Sequence, residues 1–338
     1  MIGAGRAGMI HMKKFASEIP GARLVAVVDP LEEAAQRACK RFEISTYYLD
    51  YLEALQNDEI QAVIIVAPTV YHRNIAIDAA KAGKHVLCEK PMAMNVSECD
   101  EMIDAAEKNN VKLQIGFMRR FDANFIAAQE RIKAGDIGDV VLVKSLTRGP
   151  SIPQRWQYDI EKSNGPLAEV NSHDIDTLRW FTGSEFQEIY AIAGNYRCPD
   201  AKEEFPDFYD NVILNARFYN GMQGSIDGAV SVSYGYDARV EILGTNGVIF
   251  VGRLRENSVV TCSTKKGLGS SVIRSWRDLF DEAYRSEDID FVQCIIEDRQ
   301  PSVNGVDGKK AVEVVNAGNL SIKEKRPVTL SPEGNHHG

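Results

Sequence analysis

The stretch Gly3-Ala4-Gly5-Arg6-Ala7-Gly8 decides the fold that the sequence predicts. It fits G-x-G-x-x-G, in which the first glycine permits a tight turn, the second lets the backbone approach a pyrophosphate, and the third lets helix and strand pack closely. Residues 7–16 predict a helix and residues 23–28 a strand, which ends at Asp29, 21 positions after Gly8. A carboxylate there can accept hydrogen bonds from the adenosine ribose. We predict a dinucleotide-binding turn, with an ordinary glycine turn as the alternative.

The two ends of the sequence depart from this pattern. Only Met1 and Ile2 precede the glycines, so most of the expected first strand is absent, which suggests late numbering or a trimmed N-terminus. Residues 333–338 resemble an expression-tag remnant, so their two histidines are not candidate metal ligands.

The composition predicts an ordinary soluble protein. The chain has 338 residues, enough for two domains, with 44% apolar and 26% charged residues. Its formal charge of −9 argues against a nucleic-acid or anionic membrane surface. No run of apolar residues is long enough to span a membrane, and the N-terminus does not have the pattern of a signal peptide. Six widely spaced cysteines predict free thiols and a cytoplasmic location.

Strands and helices alternate along the first part of the chain. Apolar strands are predicted at 62–66, 85–88 and 111–117, and helices at 31–42, 71–82 and 97–109, with Ser97 as the N-cap of the last. This alternation predicts an α/β domain over residues 1–121, a Rossmann fold with a doubly wound parallel sheet.

The pattern changes near residue 122. A helix is predicted at 167–181, and strands at 140–146, 189–193, 211–218, 223–232, 238–243 and 248–251. Asn220-Gly221 and Asn246-Gly247 are hairpin signals. We predict an α+β domain over residues 122–332 with a large, mostly antiparallel open sheet. Helices 276–299 and 308–323 close the chain and could pack back on the first domain.

Lys90 is the first residue that could perform chemistry. It follows the strand at 85–88, and ligands of such folds lie outside the carboxyl ends of the strands. Its ammonium could donate to a substrate hydroxyl and stabilise an alkoxide. A solvated lysine at a strand end is the alternative.

Three polar residues predict a second reactive centre. On one continuous helix, Glu169, His173 and Asp176 would share a face, because they follow the i, i+4, i+7 spacing. Carboxylates beside a histidine can hold one tautomer and favour its action as a general base. A solvated acidic face with a structural histidine is the alternative. Glu169 and His173 could also ligate a metal, but further ligands at useful spacing are missing, so we predict none.

The chain resembles the glucose–fructose oxidoreductase / inositol dehydrogenase / rhizopine-catabolism (Gfo/Idh/MocA) family over nearly its whole length. The matches are Ile2 to Arg6 with His11, Val28-Asp29-Pro30, Ala67-Pro68-Thr69 with His72, Lys84 to Pro91, and Gly165 to Asp176. The resemblance implies an NAD-binding Rossmann domain and a second domain for substrate binding, whose open sheet joins subunits into dimers or tetramers.

The resemblance also implies roles for individual residues. Lys90 contacts substrate and nicotinamide, and His173 is the acid/base, assisted by Glu169. Residues expected at the cofactor are Gly3, Gly5, Arg6, Ala7, Gly8, Asp29, Pro68, Thr69, His72, Glu89 and Lys90.

Two segments resemble the inositol dehydrogenase branch. In Gly116 to Asp122 the second arginine, Arg120, is expected at the substrate. In Tyr234 to Asp237 the two tyrosines would face the same way on a strand, and we favour Tyr236. Trp156 and Asp176 complete the expected substrate site.

Two departures affect the prediction of the substrate. Glu169 stands where the family usually has Asp, and residues 148–156 do not match the inositol enzymes. We predict an NAD-dependent dehydrogenase of a cyclic polyol or sugar, with NADP disfavoured by the carboxylate of Asp29. A keto-sugar reductase, a non-redox NAD-using glycosidase and a cofactor-binding sensor are the alternatives.

Overall fold

The computed structural model describes residues 1–265 and 267–331, so the predicted tag remnant at 333–338 lies outside the described residues. Its internal contacts divide the chain into two units. The first unit contains Met1–Asp122 and Asp281–Val312, and the second contains Ala123–Phe280 and the chain from Glu313 onward. None of the described helices has the length and apolar character that crossing a bilayer requires.

Thirteen α-helices occur in the described chain. They are α1 Gly8–Ser17, α2 Glu32–Phe42, α3 Tyr51–Leu55, α4 His72–Lys81, α5 Val96–Lys108, α6 Ala123–Ala134, α7 Arg155–Tyr158, α8 Ile160–Ser163, α9 Gly165–Glu169, α10 Ser172–Thr182, α11 Trp276–Leu279, α12 Asp281–Ile296 and α13 Gly305–Glu324. Short 3₁₀ helices lie at Thr69–Tyr71, Met118–Phe121 and Pro199–Ala201.

Fourteen strands occur in the same residues. They are β1 Ala26–Val28, β2 Thr46–Tyr48, β3 Ala62–Ile65, β4 His85–Glu89, β5 Leu113–Gly116, β6 Val140–Arg148, β7 Phe186–Gly194, β8 Asn211–Phe218, β9 Gln223–Ala229, β10 Asp237–Gly244, β11 Val248–Val251, β12 Thr261–Ser263, β13 Gly267–Gly269 and β14 Val328–Thr329.

The sheet of the first unit is parallel throughout. β1 pairs with β2, and β3, β4 and β5 pair in sequence order. Ile2 joins the two groups, because it bridges Val28 on one side and Ile65 on the other, both in parallel. The resulting order, β2-β1-Ile2-β3-β4-β5, is that of the dinucleotide-binding fold, with Ile2 in the place of its first strand. The predicted Rossmann fold is confirmed.

Apolar side chains from several elements form the core of this unit. Met12 and Phe15 of α1, Val27 of β1, and Phe291 and Val292 of α12 belong to one buried cluster. Val27 is fully buried, as expected for a strand with both faces covered. α12 therefore belongs to the first unit although it follows the second in sequence.

The second unit contains a seven-stranded sheet. Its order is β11-β10-β6-β9-β8-β7-β14, and only the β6–β9 pair is parallel. Asn220-Gly221 connects the antiparallel strands β8 and β9, and Asn246-Gly247 connects β10 and β11. Gly221 has a φ of +86°, which suits a hairpin turn. The predicted large, mostly antiparallel sheet and both predicted hairpins are confirmed.

Three of the helix predictions were wrong in detail. The helix predicted over 167–181 is broken after Glu169, where Val170 and Asn171 separate α9 from α10. The helix predicted over 276–299 is likewise divided between α11 and α12. Asn95, not Ser97, caps α5, because its side chain accepts from the backbone N–H of Glu98 at 3.0 Å.

Candidate functional site

The glycine turn before α1 has the geometry that phosphate binding requires. Gly3 has a φ of +104°, and a Cβ placed on it would lie 2.5 Å from the carbonyl oxygen of Val66. A Cβ on Gly8 would overlap the carbonyl oxygen of Gly3. A Cβ on Gly5 would meet no atom within 4 Å, so that side of the turn is open. The backbone and the N-terminus of α1 therefore present a surface that a pyrophosphate can approach.

Arg6 and Ala7 belong to the same turn. Arg6 is exposed and Ala7 is partly exposed, immediately before α1 begins. A ligand at the N-terminus of α1 would lie beside both residues. Their predicted contact with the cofactor remains a prediction.

Asp29 is held rigidly at the end of β1. Its Oδ2 accepts from the backbone N–H of Ala4 at 2.8 Å, and its Oδ1 accepts from the backbone N–H of Leu31 at 2.9 Å. The first of these bonds joins the ribose-binding candidate directly to the glycine turn. The two predicted cofactor elements are thus parts of one arrangement, and the chain's own residues fit an adenine dinucleotide.

The loops after β3 and β4 are connected by His72. Its Nδ1 lies 2.9 Å from the carbonyl oxygen of Pro91, and its Nε2 lies 2.7 Å from that of Ala67. Complete burial lowers the pKa of His72, although those carbonyls and Glu89 act in the opposite direction. Pro68 is exposed and Thr69 is buried at the start of a 3₁₀ helix. The ring therefore joins two loops, and direct contact of these three residues with the cofactor remains a prediction.

Lys90 lies at the carboxyl end of β4 and is partly buried. Its backbone N–H donates to Oε2 of Glu89 at 3.0 Å. Glu89 is buried, and its carboxyl group occupies the space beside Gly116, where a Cβ would lie 3.0 Å from its carboxyl carbon. Glu89 therefore supports the backbone of Lys90 from inside the unit, and its contact with the cofactor remains a prediction.

Arg120 lies in the 3₁₀ helix after β5. Its Nη2 donates to Oδ1 of Asp307 at 3.1 Å, and both side chains are largely buried. Asp307 is in the first turn of α13. The ion pair orients the guanidinium, and a role for Arg120 in substrate binding remains a prediction.

A buried polar cluster lies within the first unit. Among the residues that the structure describes, His11, Glu89 and Glu287 are the one group of three potential metal ligands with converging atoms, which lie within 4.8 Å of one another. Asp288 adjoins them, with its Oδ1 2.7 Å from Nδ1 of His11. All four residues are buried. Sequence reasoning assigned no chemistry to His11, Glu287 or Asp288.

A signal for Glu287 and Asp288 exists in the sequence. In α12 they lie three or four residues from apolar residues that are buried, namely Ala283, Tyr284 and Phe291. These spacings place both acids on the apolar stripe of the helix, a position that charged residues occupy only when they have a specific partner.

In the second unit, the break between α9 and α10 changes the predicted polar stripe. Glu169 ends α9, whereas His173 and Asp176 belong to α10. The prediction that Glu169 and His173 share one face of a single helix is therefore wrong. Oε2 of Glu169 accepts from Nε2 of Gln157 in α7 at 3.0 Å. His173 and Asp176 are both buried. The roles of all three residues remain predictions.

Asp174 fixes the start of α10, and sequence reasoning missed it. Its Oδ1 accepts from Oγ of Ser145 at 2.5 Å and from Oγ1 of Thr147 at 2.9 Å. Its Oδ2 accepts from Nδ2 of Asn171 at 2.8 Å. Ser145 and Thr147 are alternate residues of β6 and so project from the same face of the sheet. The carboxylate therefore joins the helix that carries His173 to β6.

The remaining substrate candidates are Trp156 and Tyr236. Trp156 lies in α7, and its Nε1 donates to Oε1 of Gln154 at 2.8 Å. Tyr236 is buried, whereas Tyr234 is exposed and donates to Oδ2 of Asp237 at 3.0 Å. Both tyrosines precede β10, and Gly235 between them has a φ of +125°. The expectation that they share one face of a strand is therefore wrong.

Two family models match almost the whole chain. One, described as an oxidoreductase family with an NAD-binding Rossmann fold, matches residues 1–117. The other, described as the C-terminal alpha/beta domain of the oxidoreductase family, matches residues 129–330.

Several inositol dehydrogenases are similar to the chain over almost their whole length. The chain is 33% identical to the scyllo-inositol 2-dehydrogenase (NAD(+)) of Bacillus subtilis, over 98% of this chain and 95% of that protein. It is 32% identical to the myo-inositol 2-dehydrogenase of Thermotoga maritima, over 98% and 97%. A crystal structure of scyllo-inositol dehydrogenase from Lactobacillus casei with NAD(H) and scyllo-inositol has a TM-score of 0.88 and 25% identity, covering 97% of both chains.

The glycine turn generates a paired prediction. Gly8→Ala should lower the free energy of unfolding by about 1–3 kcal/mol, because the new methyl group overlaps the backbone of Gly3. Gly5→Ala should fold normally but weaken NAD binding about tenfold or more, because its methyl group fills the open side of the turn. Denaturant unfolding and calorimetric NAD titration measure the two effects. Equal NAD affinity in Gly5→Ala and the unmodified protein would contradict the prediction.

The Asp174 network predicts a specific loss of stability. Asp174→Ala should lower the free energy of unfolding by about 3 kcal/mol, because it leaves buried hydroxyl and amide groups without their acceptor. Asp174→Asn is the matched control and should cost clearly less, since it preserves shape and one oxygen acceptor. Denaturant unfolding of both variants tests this, and a similar cost for the two would contradict the prediction that the retained oxygen acceptor compensates in part.

Proposed function

Since the chain belongs to the Gfo/Idh/MocA family of NAD-binding oxidoreductases, we propose that it oxidises a hydroxyl group of a cyclic polyol, an inositol first of all. The observation that carries this proposal is the open glycine turn joined to Asp29, which fits an adenine dinucleotide. The inositol dehydrogenases of Bacillus subtilis and Thermotoga maritima, similar over almost their whole length, support the substrate class.

The proposed chemistry divides the reaction between two residues. Bound NAD supplies the hydride acceptor. His173 takes the proton of the substrate hydroxyl as a general base. The ammonium of Lys90 donates to the same oxygen and stabilises the negative charge that develops there. Glu169, one methylene longer than the usual family residue, orients His173 or pairs with its charge, and Gln157 restrains its carboxylate.

We further propose that four residues bind the hydroxyl groups of the substrate: Arg120, Trp156, Asp176 and Tyr236. A polyol presents several donors and acceptors around one ring, and a guanidinium, a carboxylate and a phenol can each bind them. The ion pair with Asp307 supports an oriented Arg120. Residues 148–156 depart from the inositol enzymes, so this loop is where a preference for a particular polyol would arise.

We also propose that the enzyme assembles through the open face of the second unit's sheet. Ile192 of β7 and Ile213 of β8 face each other in register, and both are exposed. Phe250 of β11 is 72% exposed. Adjacent exposed apolar side chains of this kind mark contact surfaces. A homodimer or homotetramer would cover them.

A cytoplasmic location completes the proposal. Six free cysteines, five of them buried, support a reducing compartment.

The first test is a spectrophotometric screen at the NADH absorption band. Inositols, aldoses and amino sugars are offered with NAD and NADP in parallel. NADH should form with a cyclic polyol, and kcat should fall about 10²–10⁴-fold in His173→Ala and about 10²–10³-fold in Lys90→Ala. Lys81→Ala, which alters an exposed lysine in the last turn of α4, is the matched control and should not change kcat.

Other outcomes of this screen point to other functions. Turnover only of a keto-sugar with NADH would indicate a reductase. Cofactor that stays bound through purification without net NADH formation would indicate a glycosidase. NAD binding without any turnover would indicate a sensor.

The assembly proposal predicts a change in molecular mass. Ile213→Asp should shift the protein toward monomer, because a carboxylate would be buried without a partner in the subunit contact. Ile296→Asp, an equally drastic change at an exposed position of α12, should leave the mass unchanged. Analytical ultracentrifugation at several concentrations measures this. The same mass for Ile213→Asp and the unmodified protein would exclude this face.

A further inference from the structure

His11 lies between two carboxylates inside the first unit. Its Nδ1 is 2.7 Å from Oδ1 of Asp288, and its Nε2 is 3.1 Å from Oε1 of Glu89. A neutral imidazole carries one N–H, whereas an imidazolium donates at both nitrogens. Because each ring nitrogen of His11 faces a carboxylate oxygen, which can only accept, the arrangement fits an imidazolium. Helix α1 provides His11, β4 provides Glu89 and α12 provides Asp288, so three elements meet at one ring.

Glu287 adds a third acid to the cluster. Both of its carboxyl oxygens are buried and accept no hydrogen bond from the described residues. A buried carboxylate without donors is strongly disfavoured, and such a group takes up a proton instead. With Glu287 neutral, the cluster holds one positive charge on His11 and two negative charges on Glu89 and Asp288.

Other ionisable groups surround this cluster. The ring of Tyr284 packs edge-on against His11 with a centroid distance of 5.3 Å. Lys14 of α1 acts on Asp288, and Asp290 of α12 acts on Glu287. Burial alone would lower the pKa of His11, but Asp288 and Glu89 raise it well above its ordinary value. Burial first, and the neighbouring Glu89 second, raise the pKa of Glu287 well above its ordinary value.

The cluster leads directly to Lys90. While Oε1 of Glu89 faces His11, its Oε2 accepts from the backbone N–H of Lys90 at 3.0 Å. Gly116 provides the space in which that carboxylate lies. A shift of His11 therefore moves Glu89, and a shift of Glu89 moves the backbone that carries the Lys90 ammonium.

We propose that His11, held as an imidazolium by Asp288 and Glu89, is a positioning residue for Lys90. The inference rests on the proposed function, because it gives Lys90 its role on the substrate oxygen. Through one ring and one carboxylate, it connects Lys90 to the helix that begins at the glycine turn. Glu287 contributes a neutral carboxyl group that limits the negative charge of the cluster.

A double-mutant cycle tests the positioning role. With NAD and the polyol that the screen identifies, His11→Asn should lower kcat about tenfold to a hundredfold with little change in the KM for NAD. In a Lys90→Ala background the same substitution should have almost no further effect, because it acts through Lys90. Additive losses would overturn the proposal.

His85→Asn is the matched control for this cycle. His85 begins β4, at the opposite end from Glu89, and its Nδ1 accepts from the backbone N–H of Lys112 at 3.0 Å. Its substitution should lower the thermal midpoint without lowering kcat. Should His11→Asn not fold, Asp288→Asn replaces it, since this change preserves shape and removes the charge that holds the imidazolium.

Nuclear magnetic resonance of ¹⁵N-histidine protein tests the cluster without any turnover. The His11 signals, assigned by their loss in His11→Asn or their shift in Asp288→Asn, should show both ring nitrogens protonated between about pH 6 and pH 8. A neutral His11 in this range would overturn the proposal, as would one tightly bound divalent ion per chain found by metal analysis. If Lys90→Ala alone had no effect on kcat, the proposed function of Lys90 would fail. The nuclear magnetic resonance spectrum would still determine the protonation state of His11.

The pH dependence of stability tests Glu287. Because the pKa of Glu287 is raised on folding, the folded protein retains a proton that the unfolded chain loses above about pH 4.5, so stability falls as pH rises through this window. Glu287→Gln removes this pH-dependent contribution to the free energy of unfolding, because the amide does not titrate. The thermal midpoint of the variant should therefore rise relative to the unmodified protein from about pH 5 to pH 7, and a constant difference would show an ionised Glu287.

Discussion

The close approach of α1 to the glycine turn is the constraint on which the first unit depends. Because Gly8 has no side chain, the helix can begin against the carbonyl of Gly3, which is itself in a left-handed conformation. Ile2 bridges β1 and β3 immediately before this turn, at the point where the strand order reverses. The N-terminus of α1 thereby lies at the glycine turn, and the buried face of the helix, with Met12 and Phe15, packs in the core. One packing contact serves both binding and stability.

The buried face of α1 is chemically mixed. Met12 contributes to the apolar core, whereas His11 and Lys14 are charged groups buried to the same degree. Such groups are tolerated only with partners, which α12 provides as Asp288 for His11 and Asp281 for Lys14. A helix distant in sequence thus completes the first unit through ion pairs as well as through Phe291 and Val292. These pairs specify which helix packs here, which apolar contacts alone would do less selectively.

The sequence predicted what depends on local pattern and failed where distant side chains decide. Continuous apolar runs located the parallel strands, and Asn-Gly turns located both hairpins, because these signals act over a few residues. The helix break after Glu169 could not be seen in this way. Asn171 bonds to Asp174, Asp174 bonds to two hydroxyls of β6, and a Cβ on Gly228 of β9 would overlap the Asn171 side chain. The break is therefore determined by strands that lie far away in sequence.

The rigidity of Asp29 strengthens the argument for NAD over NADP. A flexible carboxylate could turn away from an additional phosphate, but both oxygens of Asp29 are held by backbone N–H groups, those of Ala4 and Leu31. Turning it away would break two hydrogen bonds, one of them to the glycine turn itself. A 2′-phosphate would then meet a fixed negative charge, and the next residues, Pro30 and Leu31, offer no cation to compensate. Discrimination between the cofactors therefore follows from the same backbone bonds that build the pyrophosphate turn.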